Sequence, residues 1–222
     1  MSKPLLKICC IKSGIEADLA LQAGADFLGF VSEMPNGPGV LTHDEIASLI
    51  ASLPPRAKSV LLTSKTTSRE ILEQQKFVGS WGVQLVNHVD PLELVKLRDL
   101  DGGLTLFQVV HVVDKSSIDI ARMYYDLCDF LLLDSGSSNA KDPSLGGTGR
   151  VHDWQISRDI CRESPIPVLL AGSIKTTNID SAFHCVSPAG FDLCSGLRSN
   201  DELNENKLTK FMYTFSALGV EK

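Results

Sequence analysis

The sequence predicts an α/β protein built as a single (β/α)8 barrel, or TIM barrel, and three observations support this. Strand-like and helix-like segments alternate along the chain and form eight strand–helix units. The strand-like segments are nearly continuous apolar runs, which is typical of parallel strands covered on both faces. The 222 residues match the roughly 200–250 residues of single-domain α/β barrels. We therefore expect one domain, 1–222, and favour a closed barrel over an open doubly wound sheet.

Each unit joins an apolar run to an amphipathic run. The second helix has a recognisable start, because Thr42 followed by Glu45 forms a capping box that puts His43 in the first turn. The sixth strand ends in a carboxylate, Asp134, and a glycine cluster precedes the next helix. In chain order, the predicted strands and the helices that follow them are 5–10 and 15–24, 26–31 and 43–53, 57–63 and 67–76, 81–85 and 91–98, 104–110 and 115–126, 129–134 and 153–163, 166–172 and 177–185, and 190–196 and 201–217.

Composition excludes several classes of function. The net charge of −6 and the lack of a Lys/Arg cluster argue against nucleic acid as a partner. No segment approaches the roughly 18 apolar residues of a membrane helix, and the N-terminus lacks signal-peptide features, so we expect a cytoplasmic protein with no membrane partner. The six cysteines have no metal-ligand spacing and are expected to be free thiols, with no metal bound. The sequence does not indicate the oligomeric state.

The carboxyl ends of barrel strands are where chemistry is expected. The residues there include Gln84, His111 and Asp134, together with Cys9 or Cys10 after the first strand. Because adjacent strand residues point to opposite faces, only one of the two cysteines is expected to face the interior. His111 has two interpretations, as a residue that lines the mouth of the barrel or, more often for a lone histidine, as a surface or packing residue.

Small residues follow the last three strands. They let a ligand approach the backbone, and the loops after strands 7 and 8 are the usual phosphate site in barrels. We therefore predict a phosphorylated substrate held by backbone amides. The predicted phosphate-binding residues are Gly147, Thr148, Gly149, Gly172, Ser173, Ser195 and Gly196.

Six segments carry a resemblance to a known family. KICCIKSGIEADLALQAGADFLGFV, GVQL, LLLDS, GGTGRVHDW, LLAGS and DLCSG occur in the order, and at about the spacing, of the signatures of phosphoribosylanthranilate isomerase. The chain resembles this tryptophan-biosynthesis family over nearly its whole length. The resemblance implies a cofactor-free (β/α)8 barrel that converts N-(5-phosphoribosyl)anthranilate to its 1-deoxyribulose form by an Amadori rearrangement. It also implies that Cys9 is the general base and Asp134 the general acid.

The chain departs from the family pattern at six positions. The phosphate end and the acid/base pair keep the pattern, whereas the end that faces the aromatic acid does not. With the family's carboxylate-binding arginine absent, Lys12 or Arg198 is predicted to hold the substrate carboxylate, and Gln84 to contact the substrate. The departures are Cys10 for Gly, Lys12 for Thr, Gly39 for that Arg, Val86 for His, Ser173 for Gly and Cys194 for Ser.

Three functional hypotheses follow. The first is a phosphoribosylanthranilate isomerase with a re-routed carboxylate contact. The second is a related isomerase that uses the same acid and base on another phosphorylated aminosugar or glycosylamine. The third is a non-catalytic barrel that keeps its phosphate site for binding. Because both Cys9 and Asp134 are retained, the third ranks last.

Overall fold

The computed structural model describes residues 3–34, 39–135 and 154–219. Eight parallel strands close into a barrel in which every strand pairs with its neighbours in sequence and β8 pairs with β1. The fold predicted from the alternation of segments is therefore confirmed. The strands are Leu5–Ile8 (β1), Phe27–Val31 (β2), Ser59–Thr63 (β3), Gly82–Leu85 (β4), Thr105–Val112 (β5), Phe130–Ser135 (β6), Val168–Leu170 (β7) and Gly190–Leu193 (β8).

A helix follows each strand and covers the outside of the barrel. The predicted capping box is present, since the Thr42 side chain accepts from the Glu45 amide and the Glu45 carboxylate accepts from the Thr42 amide. Within the described ranges, no helix is both long and apolar enough to cross a bilayer. The helices are Gly14–Gln22 (α1), His43–Ser52 (α2), Ser68–Val78 (α3), Pro91–Leu100 (α4), Ser116–Arg122 (α5), Trp154–Glu163 (α6), Ile179–Val186 (α7) and Glu205–Phe215 (α8).

Aromatic side chains fill the lower part of the barrel interior. The rings of Phe107 and Phe130 stack with centroids 4.4 Å apart, and Phe27 meets Phe107 edge-on at 5.3 Å. Val60 and Leu169 pack in the same buried cluster. Because this cluster fills the interior at the amino ends of the strands, a ligand has to enter from the carboxyl ends.

A second, larger core lies between the barrel wall and the helices. Strand residues that point outward, such as Leu6 and Leu28, pack there against helix residues such as Ala20 and Ile46. The strands are thus apolar on both faces, which explains why they read as continuous apolar runs.

Some element boundaries differ from the predicted ones, most clearly around β8. The strand ends at Leu193 and not at residue 196, because the chain turns into a short 3-10 segment, Ser195–Leu197. A two-stranded hairpin of Arg198–Ser199 (β9) and Glu202–Leu203 (β10) then replaces the start of the predicted helix. Asn204 caps α8, since its side chain accepts from the Lys207 amide.

Candidate active site

The upper end of the barrel holds a cavity of about 880 Å³ that includes part of the open mouth. Its wall is made by the ends of the strands and the residues just after them. The described residues that line it are Cys9, Cys10, Val31, Met34, Leu62, Gln84, Val86, Val109, His111, Leu132, Asp134, Ala171, Gly172, Ser173, Ile174, Asp192, Leu193, Cys194 and Ser195. The cavity thus brings together Cys9, Asp134 and Gln84 from the predicted site.

Both cysteines after β1 line this cavity, so the prediction that only one of them faces the interior is wrong. The alternation of faces holds only in extended backbone, and β1 ends at Ile8. Cys10 is in the left-handed region with φ of 65°, which turns its side chain to the same side as Cys9. This conformation costs a non-glycine residue about 1–2 kcal/mol. Residue 10 is the position at which the family pattern described above has glycine.

A buried ion pair lies in the barrel interior below Cys9. The Lys7 ammonium is fully buried and 3.0 Å from the Asp192 carboxylate. Burial alone would lower the pKa of Lys7, but the attraction of Asp192 and of the Cys9 thiol raises it, so the side chain stays charged. Lys7 therefore places a buried cation beside Cys9 in the barrel interior.

Gly29 on β2 allows this arrangement. A Cβ at this position would lie 3.0 Å from both the Cys9 sulfur and the Lys7 nitrogen. The two groups therefore border the same small space, which any other side chain would occupy.

Asp134, the last residue but one of β6, lies beside His111 on β5, and the two residues are register partners. Burial raises the pKa of Asp134, while His111 and the hydrogen bond from the Ser135 amide, 2.7 Å long, oppose the rise. A carboxyl group with a raised pKa holds its proton longer and suits a general acid.

His111 lines the cavity, in agreement with the less favoured of its two interpretations. Its Nε2–H donates to the carbonyl oxygen of Val86 at 3.1 Å. The other ring nitrogen is buried and, among the described residues, has no hydrogen-bond partner. The same is true of the side-chain oxygen of Gln84. Two polar atoms buried in side chains that line the cavity thus have no hydrogen-bond partner among the described residues.

The wall built by β2, β3 and β4 is apolar. Val31, Leu62 and Val86 form a buried cluster with the two cysteines, and Met34 packs against it. Such a wall suits a flat apolar group such as an aromatic ring.

The opposite wall, after β7 and β8, is formed by small residues. Gly172 and Ser173 are both left-handed, with φ of 75° and 60°, and their amides have no hydrogen-bond acceptor within the described ranges. Ser195 also lines the cavity, whereas Gly196 lies behind it, against the carbonyl of Ile174. The remaining predicted phosphate-binding residues, Gly147, Thr148 and Gly149, lie outside the described residues.

The two cations predicted to hold a substrate carboxylate do not line the cavity. Arg198 is buried and donates to both carboxylate oxygens of Glu16, at 2.9 and 3.0 Å, and to the carbonyls of Cys9 and Cys10. It therefore fastens the segment after β8 to the segment after β1. Lys12 lies on the outer side, in a shallow depression next to α2.

Gly39, where the family has an arginine, packs directly on Cys10. A Cβ there would lie 3.0 Å from the Cys10 Cβ, and the backbone of Gly39 is left-handed with φ of 72°. The position that lacks the arginine and the position that carries Cys10 are thus adjacent in space. A side chain at residue 39 would compete with Cys10 for the same volume.

Sequence reasoning missed Lys7, Gly29 and Asp192. Lys7 and Cys9 are two residues apart on β1, and this spacing puts both side chains on the same face of a strand. This spacing is visible in the sequence, but a partner that would keep Lys7 charged inside an apolar strand is not. Its partner, Asp192, is 185 residues away in sequence, so the pairing depends on closure of the barrel.

Comparisons with known proteins show the family to which the chain belongs. The family model for N-(5'-phosphoribosyl)anthranilate (PRA) isomerase matches residues 6–214. N-(5'-phosphoribosyl)anthranilate isomerase 1 of Methanosarcina mazei is 31% identical over 223 residues, covering 95% of this chain and 94% of the relative.

Two solved structures show the same fold. The phosphoribosyl anthranilate isomerase of Thermotoga maritima superposes with a TM-score of 0.83 at 22% identity, covering 97% of this chain and all of that one. A second phosphoribosyl anthranilate isomerase structure has a TM-score of 0.79 at 21% identity and the same coverage. It is a complex with reduced 1-(o-carboxyphenylamino)-1-deoxyribulose 5-phosphate.

Proposed function

Because the chain belongs to the N-(5'-phosphoribosyl)anthranilate isomerase family, we propose that it catalyses the Amadori rearrangement of N-(5'-phosphoribosyl)anthranilate in tryptophan biosynthesis. The observation that carries the proposal is the order of groups across the cavity. A thiol and a half-buried carboxyl group, Cys9 and Asp134, lie between an apolar wall and a wall of small residues.

The substrate fits this order in one direction. Its phosphate lies against the backbone amides of Gly172, Ser173 and Ser195, which need no basic side chain to bind an anion. Its aromatic ring lies against the apolar wall of β2 to β4. The sugar then lies at the centre, within reach of Gln84 and His111.

The chemistry starts at the ring oxygen of the ribose. The Asp134 carboxyl group donates its proton to that oxygen, the bond from C1 to the ring oxygen breaks, and the nitrogen lone pair forms the Schiff base. The Cys9 thiolate then removes the proton from C2, which gives an enol that tautomerises to the ketone. The Lys7 ammonium lies beside Cys9, since both groups border the space at Gly29.

The substrate carboxylate is the part for which this chain differs from the family. Within the described residues, the cavity wall contains no Lys or Arg, and His111 is its one basic side chain. We propose that the unpartnered ring nitrogen of His111 contacts the substrate, while Lys12 stays a candidate for the carboxylate at the outer rim. Lys12→Ala and His111→Asn variants, each tested for KM and kcat, separate these roles, since a ground-state anchor changes KM alone.

Titration calorimetry with ribose 5-phosphate tests the phosphate end. We expect Gly172→Glu to abolish binding, because the added carboxylate would face the phosphate. Gly172→Ala carries the same left-handed backbone strain without the charge and is the matched control. If wild type and Gly172→Glu bind ribose 5-phosphate with equal affinity, the phosphate does not bind to this wall.

Complementation of a bacterial strain that lacks the isomerase tests the activity as a whole. We expect the wild-type chain to restore growth without tryptophan and the Cys9→Ser variant to fail. If the wild type also fails although it is expressed and folded, another phosphorylated aminosugar becomes the substrate to test. We also propose that the protein works in the reducing cytoplasm, because all six cysteines are free.

A further inference from the structure

Three thiols meet at the mouth of the cavity. The Cys194 thiol donates a hydrogen bond to the Cys10 sulfur, 2.7 Å away, and Cys9 packs in the same cluster. The proposed reaction uses Cys9 and leaves the other two without a role. Among the described residues, no group of three ligating side chains is arranged to hold a metal, so the chemistry of the thiols themselves has to explain the cluster.

The backbone places Cys10 and Cys194 where a bond between them can form. Ile8 on β1 is in register with Leu193 on β8, so the two cysteines follow the ends of adjacent strands. Cys10 is one residue beyond the position opposite Cys194, and its left-handed backbone, with φ of 65°, accompanies the close approach of its sulfur to that of Cys194. The sulfur atoms need to approach by less than about 1 Å to reach bonding distance.

These two cysteines are also the two residues of the cluster that depart from the family pattern, in which Gly and Ser stand at their places. Cys10 occupies its position although its backbone is left-handed, where glycine carries no strain. A strained residue in contact with a second substituted residue indicates that the pair is retained for a function.

Cys194 is the more reactive of the pair. The hydrogen bond with Cys10 lowers the pKa of Cys194, burial opposes this, and the Arg198 guanidinium lowers it further. By contrast, burial raises the pKa of both Cys128 and Cys161 to about 12. Cys194 is half-buried and lines the cavity, so a small oxidant in the cavity reaches it.

We propose that Cys10 and Cys194 form a reversible disulfide when the protein meets hydrogen peroxide. The Cys194 thiolate attacks one peroxide oxygen, the O–O bond breaks, and a sulfenic acid and hydroxide result. The Cys10 sulfur then attacks the Cys194 sulfur, the S–O bond breaks, and the hydroxyl leaves as water with the Cys10 proton. In sum, two thiols and one peroxide give one disulfide and two waters, and a dithiol reverses the oxidation by exchange.

The disulfide acts on the proposed isomerase reaction, and this consequence rests on the proposed function. It draws Cys10, which packs against the general base Cys9, toward β8, and it ties down the residue that precedes Ser195 in the phosphate wall. A displacement of about 1 Å in a reacting group can lower turnover by as much as 100-fold. We therefore expect the oxidised protein to be roughly 10- to 100-fold less active, with recovery on reduction.

Mass spectrometry of the full chain tests the bond without any assay of activity. Treatment with one equivalent of hydrogen peroxide should lower the mass of the intact protein by that of two hydrogen atoms. After digestion with trypsin, two peptides should be found joined by a disulfide. They are peptide 8–12, which carries Cys9 and Cys10, and peptide 176–198, which carries Cys185 and Cys194. The link should persist in Cys9→Ser and Cys185→Ser and disappear in Cys10→Ala. A link that needs Cys9, or added oxygen atoms with no link, overturns the proposal.

Isomerase activity, measured before and after oxidation, then tests whether the disulfide switches the activity off. In the wild type, peroxide should lower activity and dithiothreitol should restore it, whereas in Cys10→Ala the ratio of treated to untreated activity should stay near one. Unchanged activity in fully cross-linked wild type overturns the switch. If the reduced wild type shows no isomerase activity, the proposed function fails, and the mass result still decides whether the disulfide forms.

Discussion

Replacing Arg198 by alanine should destabilise the fold and leave substrate affinity unchanged. Glu16 and Arg198 are 6% and 7% exposed, so the substitution leaves a buried carboxylate without its cation. Breaking a buried ion pair in this way costs about 3–5 kcal/mol. The amides of Lys12 and Leu203 still donate to Glu16, each at 2.9 Å, which favours the lower end of that range. The loss is large against a total stability of about 5–15 kcal/mol.

Urea denaturation followed by circular dichroism measures this loss. Arg69→Ala is the matched control, because Arg69 forms a 2.7 Å ion pair with Glu73 on the exposed face of α3 and an exposed pair contributes about 0–1 kcal/mol. We expect KM of the folded Arg198→Ala protein to stay at the wild-type value. A contrary result would be an Arg198→Ala protein that is as stable as Arg69→Ala and has a KM about tenfold higher than wild type, equivalent to about 1.4 kcal/mol of binding free energy. That result would show that Arg198 contacts the substrate.

The same pair should give a pH dependence of known sign. Burial alone would raise the pKa of Glu16, but hydrogen bonds from Arg198 and from two backbone amides outweigh it, so the pKa is lowered. A carboxylate whose pKa is lowered on folding stabilises the protein above its unfolded pKa. This stability is lost as the pH falls through the folded pKa. The difference in unfolding free energy between wild type and Arg198→Ala should therefore shrink at acid pH.

Two further predictions use glycines as matched pairs. Gly29→Ala should lower kcat by roughly 10- to 100-fold, because its methyl group would displace the thiol base and the ammonium beside it, whereas Gly14→Ala, with nothing within 4 Å, should keep kcat. Equal kcat values would show that this spacing is unimportant. Gly39→Ala and Gly79→Ala both place a side chain on left-handed backbone, with φ of 72° and 69°, but only Gly39 has neighbours within 4 Å. In thermal and urea unfolding, Gly39→Ala should therefore be less stable than Gly79→Ala by about 1–3 kcal/mol, and equal losses would count against crowding.

The fold could be predicted from the sequence because its signals are local. Apolar runs covered on both faces, amphipathic runs and the capping box at Thr42 each depend on a few neighbouring residues. The end of β8 was predicted less well, since CSGLRS has the small and apolar residues of a strand. The 3-10 turn and hairpin that form there are held by Arg198 and its partner Glu16, far away in sequence.

The site could be predicted in part, for the same reason. Cys9, Asp134 and Gln84 were found because each lies at a strand end. The role of Arg198 was misjudged because a lone arginine near a strand end looks the same whether it meets a substrate or a buried carboxylate. Cys10 was misjudged because face alternation assumes extended backbone, and left-handed φ at a non-glycine residue is not visible in the sequence.

Turnover of chemically synthesised N-(5'-phosphoribosyl)anthranilate by wild type, Cys9→Ser and Asp134→Asn tests the proposed acid/base pair most directly. We expect the wild type to form the 1-deoxyribulose product and each variant to lose about 10²–10⁴ in kcat, with a smaller change in KM. Because the general acid must be protonated, wild-type kcat/KM should fall as the pH rises through the raised pKa of Asp134, and this limb should be missing in Asp134→Asn. Variants that keep wild-type kcat, or a wild type that does not turn over this substrate, would contradict the account.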